Sequence, residues 1–212
     1  VIASVVLAIT LPVILAIVAL IAVIFLATLA ALAALVGQHR AVQRQLDLVA
    51  LPDFAAGAME NWGLLTFRET ASLIDPKNSS AAAKERVADV VAHEIAHMWF
   101  GDLMTMRWWD HIWLNEGFAT FAEMRAVAHH FPEWKRDLRF VAEDLVAAMH
   151  DMDKKNSHPI EPKIEDPKKV GEIFDVTTYS GGSSVCLMIE QFLGEKGFDP
   201  EYWSTADATF AM

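Results

Sequence analysis

The pattern of apolar and polar positions divides the chain into two unlike parts. Residues 1–36 contain no charged side chain, and only Ser4, Thr10, Pro12 and Thr28 interrupt the apolar run. Beyond them, apolar and polar positions alternate with recognisable periods. Residues 46–51 (LDLVAL) alternate weakly and stop at Pro52, which predicts a short strand. Residues 58–61 and 64–67 predict two further strands around Trp62-Gly63, paired as a hairpin. A turn-rich loop follows at 75–80. Residues 81–100 are Ala-rich, carry apolar residues near helical spacing, and meet Gly101 as a stop signal, so a helix is predicted there. A Trp-containing connector over 105–110 leads to a second helix at 114–130, closed by Pro132. A third helix is predicted at 133–149, a charged, Pro-containing loop at 151–167, and a fourth helix at 176–193 with Gly194 after it. The expected fold class is therefore α+β, mostly helical, with a small strand region at 46–68.

The apolar start has a different expectation. A helix over 13–36 would be about 36 Å long, against a hydrocarbon core of roughly 30 Å. Pro12 suits its start, because proline lacks the backbone donor that a helix interior needs. Residues 1–36 are therefore expected to be a single-pass transmembrane helix, with residues 37–45 as a polar linker. A cleaved signal sequence fits less well, since its apolar region usually runs about 7–15 residues. A buried core helix fits less well too, because the run has no polar face. Arg40 and Arg44 follow the span, and the positive-inside rule would place them in the cytoplasm.

Charge and cysteine content narrow the remainder. The 212 residues hold 17 Lys/Arg against 28 Asp/Glu, a net charge of −11, and all of these groups follow residue 39. That balance argues against nucleic-acid binding. Cys186 is the one cysteine, so the chain forms no internal disulfide. Asn78-Ser79-Ser80 fits a glycosylation sequon, which matters if this part lies outside the cytoplasm.

The candidate chemistry begins at His93-Glu94-Ile95-Ala96-His97, an HExxH pattern inside the first predicted helix. Histidines four apart sit about 40° apart around a helix and about 6 Å along it, so two imidazoles can reach one metal ion. Glu94 lies about 100° from His93, placed to act on a water without being a ligand. Read alone, the pair could still be two surface histidines on an Ala-rich helix. A catalytic zinc wants a third protein ligand and an open position. Glu116, in Leu114-Asn115-Glu116-Gly117, can supply it if the chain turns at Gly101 and the second helix returns. Glu123 is two turns along the same face. It either bonds a ligating imidazole from behind or belongs to a solvated helix face. One zinc per chain, held by His93, His97 and Glu116, is the expected cofactor. Glu94 is then the expected general base for a zinc-activated water attacking a peptide carbonyl.

A family resemblance joins these parts. Gly57-Ala58-Met59-Glu60-Asn61 reads GAMEN, and together with HEIAH and the glutamate nineteen residues on it resembles the gluzincin metallo-aminopeptidases typified by aminopeptidase N. LDLVALPDF, GAMENWGL, HEIAHMWFGDLMTMRWWDHIWLNEGFAT, SHPI and FDVTTYSGGSSV carry the resemblance, which covers residues 46–198. It implies a thermolysin-like catalytic core over that range, with residues 199–212 as a truncated tail. It also implies that Glu60 binds the free α-amino group of the substrate, and that Gly57, Ala58, Met59 and Asn61 belong to the segment that receives substrate backbone. Tyr179 matches the tyrosine that donates to the oxyanion. The family's large β-rich domain would stand before GAMEN. Here residues 37–45 alone separate the apolar run from Leu46, and Gly181 stands where a lysine is usual.

The function expected is removal of the N-terminal residue from peptides with a free N-terminus. The core is expected on the exterior or lumenal side of a membrane, and a homodimer stays open. The first rival is a truncated, catalytically impaired, membrane-anchored member that binds peptide or a partner without turnover. The second is an endopeptidase, which GAMEN disfavours because Glu60 would reward a free amine.

Overall fold

The computed structural model describes residues 46–194. The expected anchor at 1–36, the linker at 37–45 and the tail at 199–212 lie outside the described residues. Among the described residues no helix is long and apolar enough to cross a membrane.

A small sheet opens the described chain. Its strands are β1 (Asp47–Leu51), β2 (Ala58–Met59) and β3 (Leu64–Arg68), in the order β1-β3-β2. The expected hairpin is present: β2 pairs antiparallel with β3, with Ala58 opposite Phe67 and Met59 opposite Thr66. The first strand joins on the other side, parallel to β3 from Asp47–Leu64 to Leu51–Arg68. Alternation along β3 explains its central place, because Leu65 and Phe67 are fully buried while Leu64 and Arg68 face out. Arg68 has a second task. Its guanidinium donates to the carbonyls of Phe54 (2.9 Å), Ala56 (3.1 Å) and Ala55, and its amide donates to Gly57 O at 2.8 Å. The loop that presents Gly57 and Ala58 is thereby tied down at several points.

The rest is helical. The helices are α1 (Glu69–Ser72), α2 (Ala81–Ala96), α3 (Ile112–His130), α4 (Arg136–Arg139), α5 (Val146–Met152) and α6 (Gly182–Leu193). Ser80 caps α2, its hydroxyl accepting from Ala83 N at 3.2 Å. The sequence predicts this helix to Phe100, but it ends at Ala96 and continues as tight turns. Within those turns the Phe100 carbonyl accepts a hydrogen bond of 2.8 Å from Nδ1 of His97. Short 3₁₀ turns at Trp109–His111, Pro132–Trp134 and Pro167–Ile173 join the longer elements.

The third predicted helix, 133–149, is not continuous. Lys135 adopts a left-handed backbone (φ 50°), α4 follows, and Phe140–Leu145 is a wide π turn before α5. There is a physical reason for the wide turn. Eight residues of straight helix would put Asp144 about 80° around the axis from Arg136. One extra residue absorbed in a π turn brings it back near the same face, where Arg136 Nη1 donates to Asp144 Oδ2 at 2.9 Å. The fourth predicted helix likewise begins with a π turn, Thr177–Gly181, which carries Tyr179.

Packing centres on α3. Phe121 and Met124 from α3 bury against Phe140 and against Cys186 of α6, with Trp113, Phe118 and Leu187 partly buried around them. The close approach of α3 to α6 depends on two glycines. A Cβ on Gly117 would lie 2.7 Å from the Gly182 backbone, and one on Gly182 would lie 3.0 Å from Gly117 Cα. Gly117 directly follows Glu116, and Gly182 stands three residues after Tyr179. The contact therefore brings two candidate site residues from separate helices to one cleft.

Candidate metal centre and substrate cleft

Helix α2 and the residue that caps its C-terminus present His93 and His97 one turn apart, with ring centroids 4.6 Å apart and planes at 83°. Each ring is oriented from behind by its Nδ1. That of His93 meets Glu123 Oε2 at 3.2 Å. In His97 the same atom meets Phe100 O at 2.8 Å and Asn115 Oδ1 at 3.1 Å. Carbonyl and carboxylate oxygens accept, so Nδ1 carries a proton and Nε2 is the nitrogen that can offer a lone pair to a metal once its own proton is lost. Both Nε2 atoms then face one oxygen of Glu116, at 3.2 Å from His93 and 3.4 Å from His97. Among the described residues these three form the group able to hold a metal ion, with ligand atoms all within 4.8 Å of one another.

The donor set suits zinc. Nitrogen and carboxylate ligands lie about 2.0–2.1 Å from zinc, so neighbouring ligands of a tetrahedral site are about 3.4 Å apart. The separations from Glu116 Oε2 match that value. Two histidines and one carboxylate leave the fourth position open. Glu94, the side chain next to His93, is buried, and its Oε2 has no hydrogen-bond partner. A buried polar atom left unpaired is costly unless the site uses it. Zinc is the cofactor that this site takes.

The charges are strongly coupled. Burial works against a charged His93, but the Glu116 and Glu123 carboxylates outweigh it and raise its pKa to about 10. Burial also opposes ionisation of Glu116, yet its bonds to His93 and His97 lower its pKa to about 2. To hold a metal ion, His93 and His97 would have to give up their Nε2 protons. Burial pushes Glu94 up to about 7, with the neighbouring imidazoles pulling the other way. Burial, then the Glu116 carboxylate, keeps the Tyr179 phenol protonated well beyond neutral pH. Its ring stacks on His93 at 5.9 Å.

A cleft of about 760 Å³ contains these groups. Gly57, Ala58, Met59 and Glu60 line one side, and His93, Glu94, His97, Glu116, Glu123 and Tyr179 line it further in. Asn61 is not part of that lining. It is exposed, and its amide donates to Thr66 Oγ1 at 3.1 Å across the hairpin.

Three residues at the site went unread in the sequence. Buried Asn115 accepts from His97 and donates to Glu60 Oε1 (3.4 Å) and Glu116 Oε1 (3.3 Å). Gly101, at φ 129°, leaves room for it, since a Cβ there would sit 2.4 Å from Asn115 Oδ1. Adjacency to Glu116 was the signal that could have found Asn115. Arg68 and Arg136 gave none, because a charged residue at an element's end ordinarily reads as solvated.

Two imidazoles from one helix, a carboxylate from the next and a buried free carboxylate beside them define a mononuclear zinc centre in a mostly helical α+β domain. Residues 41–204 match the model of the peptidase family M1 domain, and the chain belongs to that family. It is 47% identical over 154 residues to probable aminopeptidase 1 of Saccharolobus solfataricus, covering 73% of this chain and 20% of the relative. It is 50% identical over 154 residues to aminopeptidase M1 of Arabidopsis thaliana, covering 73% of this chain and 17% of the relative. It is also 50% identical over 152 residues to the puromycin-sensitive aminopeptidase of Caenorhabditis elegans, covering 72% of this chain and 16% of the relative. The chain thus spans a fifth or less of the length of these relatives.

Proposed function

We propose that the chain carries the catalytic core of a zinc aminopeptidase, thermolysin-like in its site architecture, which removes N-terminal residues from peptides. The observation that carries this reading is the cleft itself, which joins the GAMEN carboxylate Glu60 to the zinc donor set through one buried amide, Asn115. The aminopeptidase names of the relatives support the same substrate class.

His93, His97 and Glu116 hold the metal, which when bound supplies a Lewis acid that polarises a carbonyl and lowers the pKa of water. Glu94 accepts the proton of the attacking water at its unpartnered Oε2 and returns it to the leaving nitrogen. Tyr179 keeps its proton and donates it as a hydrogen bond to the carbonyl oxygen as negative charge develops there. Glu60 pairs with the substrate ammonium, and desolvation in the cleft strengthens the pair. The edge of β2 at Ala58–Met59 offers backbone groups to an added strand of substrate.

The test compares matched peptides with free and acetylated N-termini. A charge-assisted contact of this kind is worth about 1.5–3 kcal/mol, roughly ten- to a hundred-fold. Wild type is expected to prefer the free amine by that factor, and Glu60→Ala to erase the preference while retaining zinc. Equal cleavage of both peptides by wild type would reject the aminopeptidase reading. An unchanged preference in Glu60→Ala would reject Glu60 as the anchor.

Residues 1–36 are proposed as the membrane anchor on the strength of their uncharged length. The exterior or lumenal side is proposed for the core by family resemblance, against the pull of Arg40 and Arg44. Protease added to sealed cells should digest the core. Digestion only after permeabilisation would place it in the cytoplasm.

A further inference from the structure

We propose that Arg136 is a positioning residue that holds the metal-ligand histidine His93 and the turn carrying Tyr179 at a fixed separation. The proposal rests on the zinc-site reading above and adds a residue which that reading does not need.

Arg136 is 5% exposed and reaches three carboxylates on three different elements. Its Nη2 donates to Glu123 Oε1 on α3 at 3.0 Å, and the other oxygen of that carboxylate meets Nδ1 of His93 at 3.2 Å. Its Nε donates to Asp89 Oδ1 at 3.2 Å, one turn before His93 on α2. From Nη1 a bond of 2.9 Å runs to Asp144 Oδ2, and Asp144 Oδ1 accepts from the Ser180 hydroxyl at 3.4 Å, next to Tyr179. One planar guanidinium therefore grips the helix that carries His93, the carboxylate that orients its ring, and the turn that carries the phenol.

The fork geometry matters. Arginine presents its donors in a rigid plane, so three bonds in three directions fix relative position as well as charge. Lysine keeps the charge and loses the plane. The π turn at Phe140–Leu145 brings Asp144 round to face this residue. The His93–Tyr179 stack at 5.9 Å is the separation being held. Loss of the carboxylate that supports a ligating imidazole typically costs about 10–100-fold in metal affinity or activity, and Arg136 is what holds that carboxylate.

A buried ion cluster could instead serve stability alone, and deleting one partner of such a cluster can unfold a protein. The test therefore uses Arg136→Lys, which keeps the charge, and Asp144→Ala, which cuts only the arm to Ser180 at a partly exposed position. Melting curves and circular dichroism first establish that each full-length variant is folded. Zinc affinity is then measured by competition with a chelator. Binding of a phosphinic dipeptide, whose tetrahedral oxygen mimics the oxyanion, is measured on the zinc-loaded protein. Arg136→Lys is expected to weaken zinc about tenfold or more. Asp144→Ala is expected to leave zinc affinity within about twofold and to weaken the phosphinic ligand. Its loss should overlap with that of Tyr179→Phe, so that the double variant is no weaker than either alone.

Zinc affinity in a folded Arg136→Lys equal to wild type overturns the assignment, as do Asp144→Ala and Tyr179→Phe losses that simply add. If Arg136→Lys does not fold, the Asp144→Ala and Tyr179→Phe cycle decides alone. A wild type that fails to bind zinc, or a His93→Ala that binds it normally, overturns the metal-site reading and this assignment with it. Normal zinc binding by wild type with an indifferent Arg136→Lys overturns this assignment only.

Discussion

Glu94→Gln is expected to bind zinc as wild type does and to lose turnover by about 10²–10⁴-fold, the usual weight of a general base. The side chain is buried, one of its oxygens has no partner, and burial holds its pKa at about 7. A carboxylate with that pKa accepts a proton from water near neutrality and releases it again. Glutamine has the same shape and cannot do either. It donates no electron pair to the metal set, which consists of His93, His97 and Glu116. The variant should melt no lower than wild type, because an amide replaces a buried ionisable group. Those three readouts separate lost chemistry from lost structure. Near-normal turnover in the zinc-loaded variant would remove Glu94 from the mechanism.

The second large effect is on the metal itself. Wild type should carry about one zinc per chain, and His93→Ala, His97→Ala and Glu116→Ala should each leave the site with two ligands, too few for a structural or a catalytic zinc. The three variants should differ in side effects. His97 is 1% exposed and its Nδ1 is bonded to Phe100 and Asn115, so its removal also opens a cavity and frees a backbone carbonyl. Removing Glu116 leaves two imidazoles without their shared carboxylate. Zinc content by metal analysis is the measurement, and full occupancy in all three variants would refute the ligand assignment.

The group able to hold a metal ion was legible in the sequence for a simple reason. The pair His93 and His97 needs only helical periodicity, and Glu116 needs only a return of the chain after Gly101. Strand β3 and its hairpin with β2 were legible because alternation and a Trp-Gly turn are local signals. The parallel pairing of β1 with β3 was not, since nothing local sets the direction of a strand that joins from outside a hairpin. The break in the predicted 133–149 helix was hidden for a related reason. Its π turn answers a bond between Arg136 and Asp144, and composition carries no trace of that partner. Glu123 stood between two readings, a solvated face and a support for an imidazole. The structure places it buried against His93 and Arg136. Tyr179 and the GAMEN segment came from resemblance, and the cleft places Gly57 to Glu60 and Tyr179 together while Asn61 faces the hairpin.

The Asn115 amide also sets a length. Its one nitrogen lies 3.4 Å from Glu60 and 3.3 Å from Glu116. An extended residue advances about 3.3–3.6 Å. On the proposed reading, a peptide whose ammonium rests on Glu60 therefore has about 6.7 Å at most to cross before it comes level with Glu116, no more than two residue lengths. The side chain of Asn115 thus sets an upper limit on how far from the N-terminus a bond can be cut. A tripeptide is expected to yield a free amino acid and a dipeptide together, in equal amounts, from the first cut. Tripeptides or longer pieces cut whole from the N-terminus of a longer chain are not expected among the products.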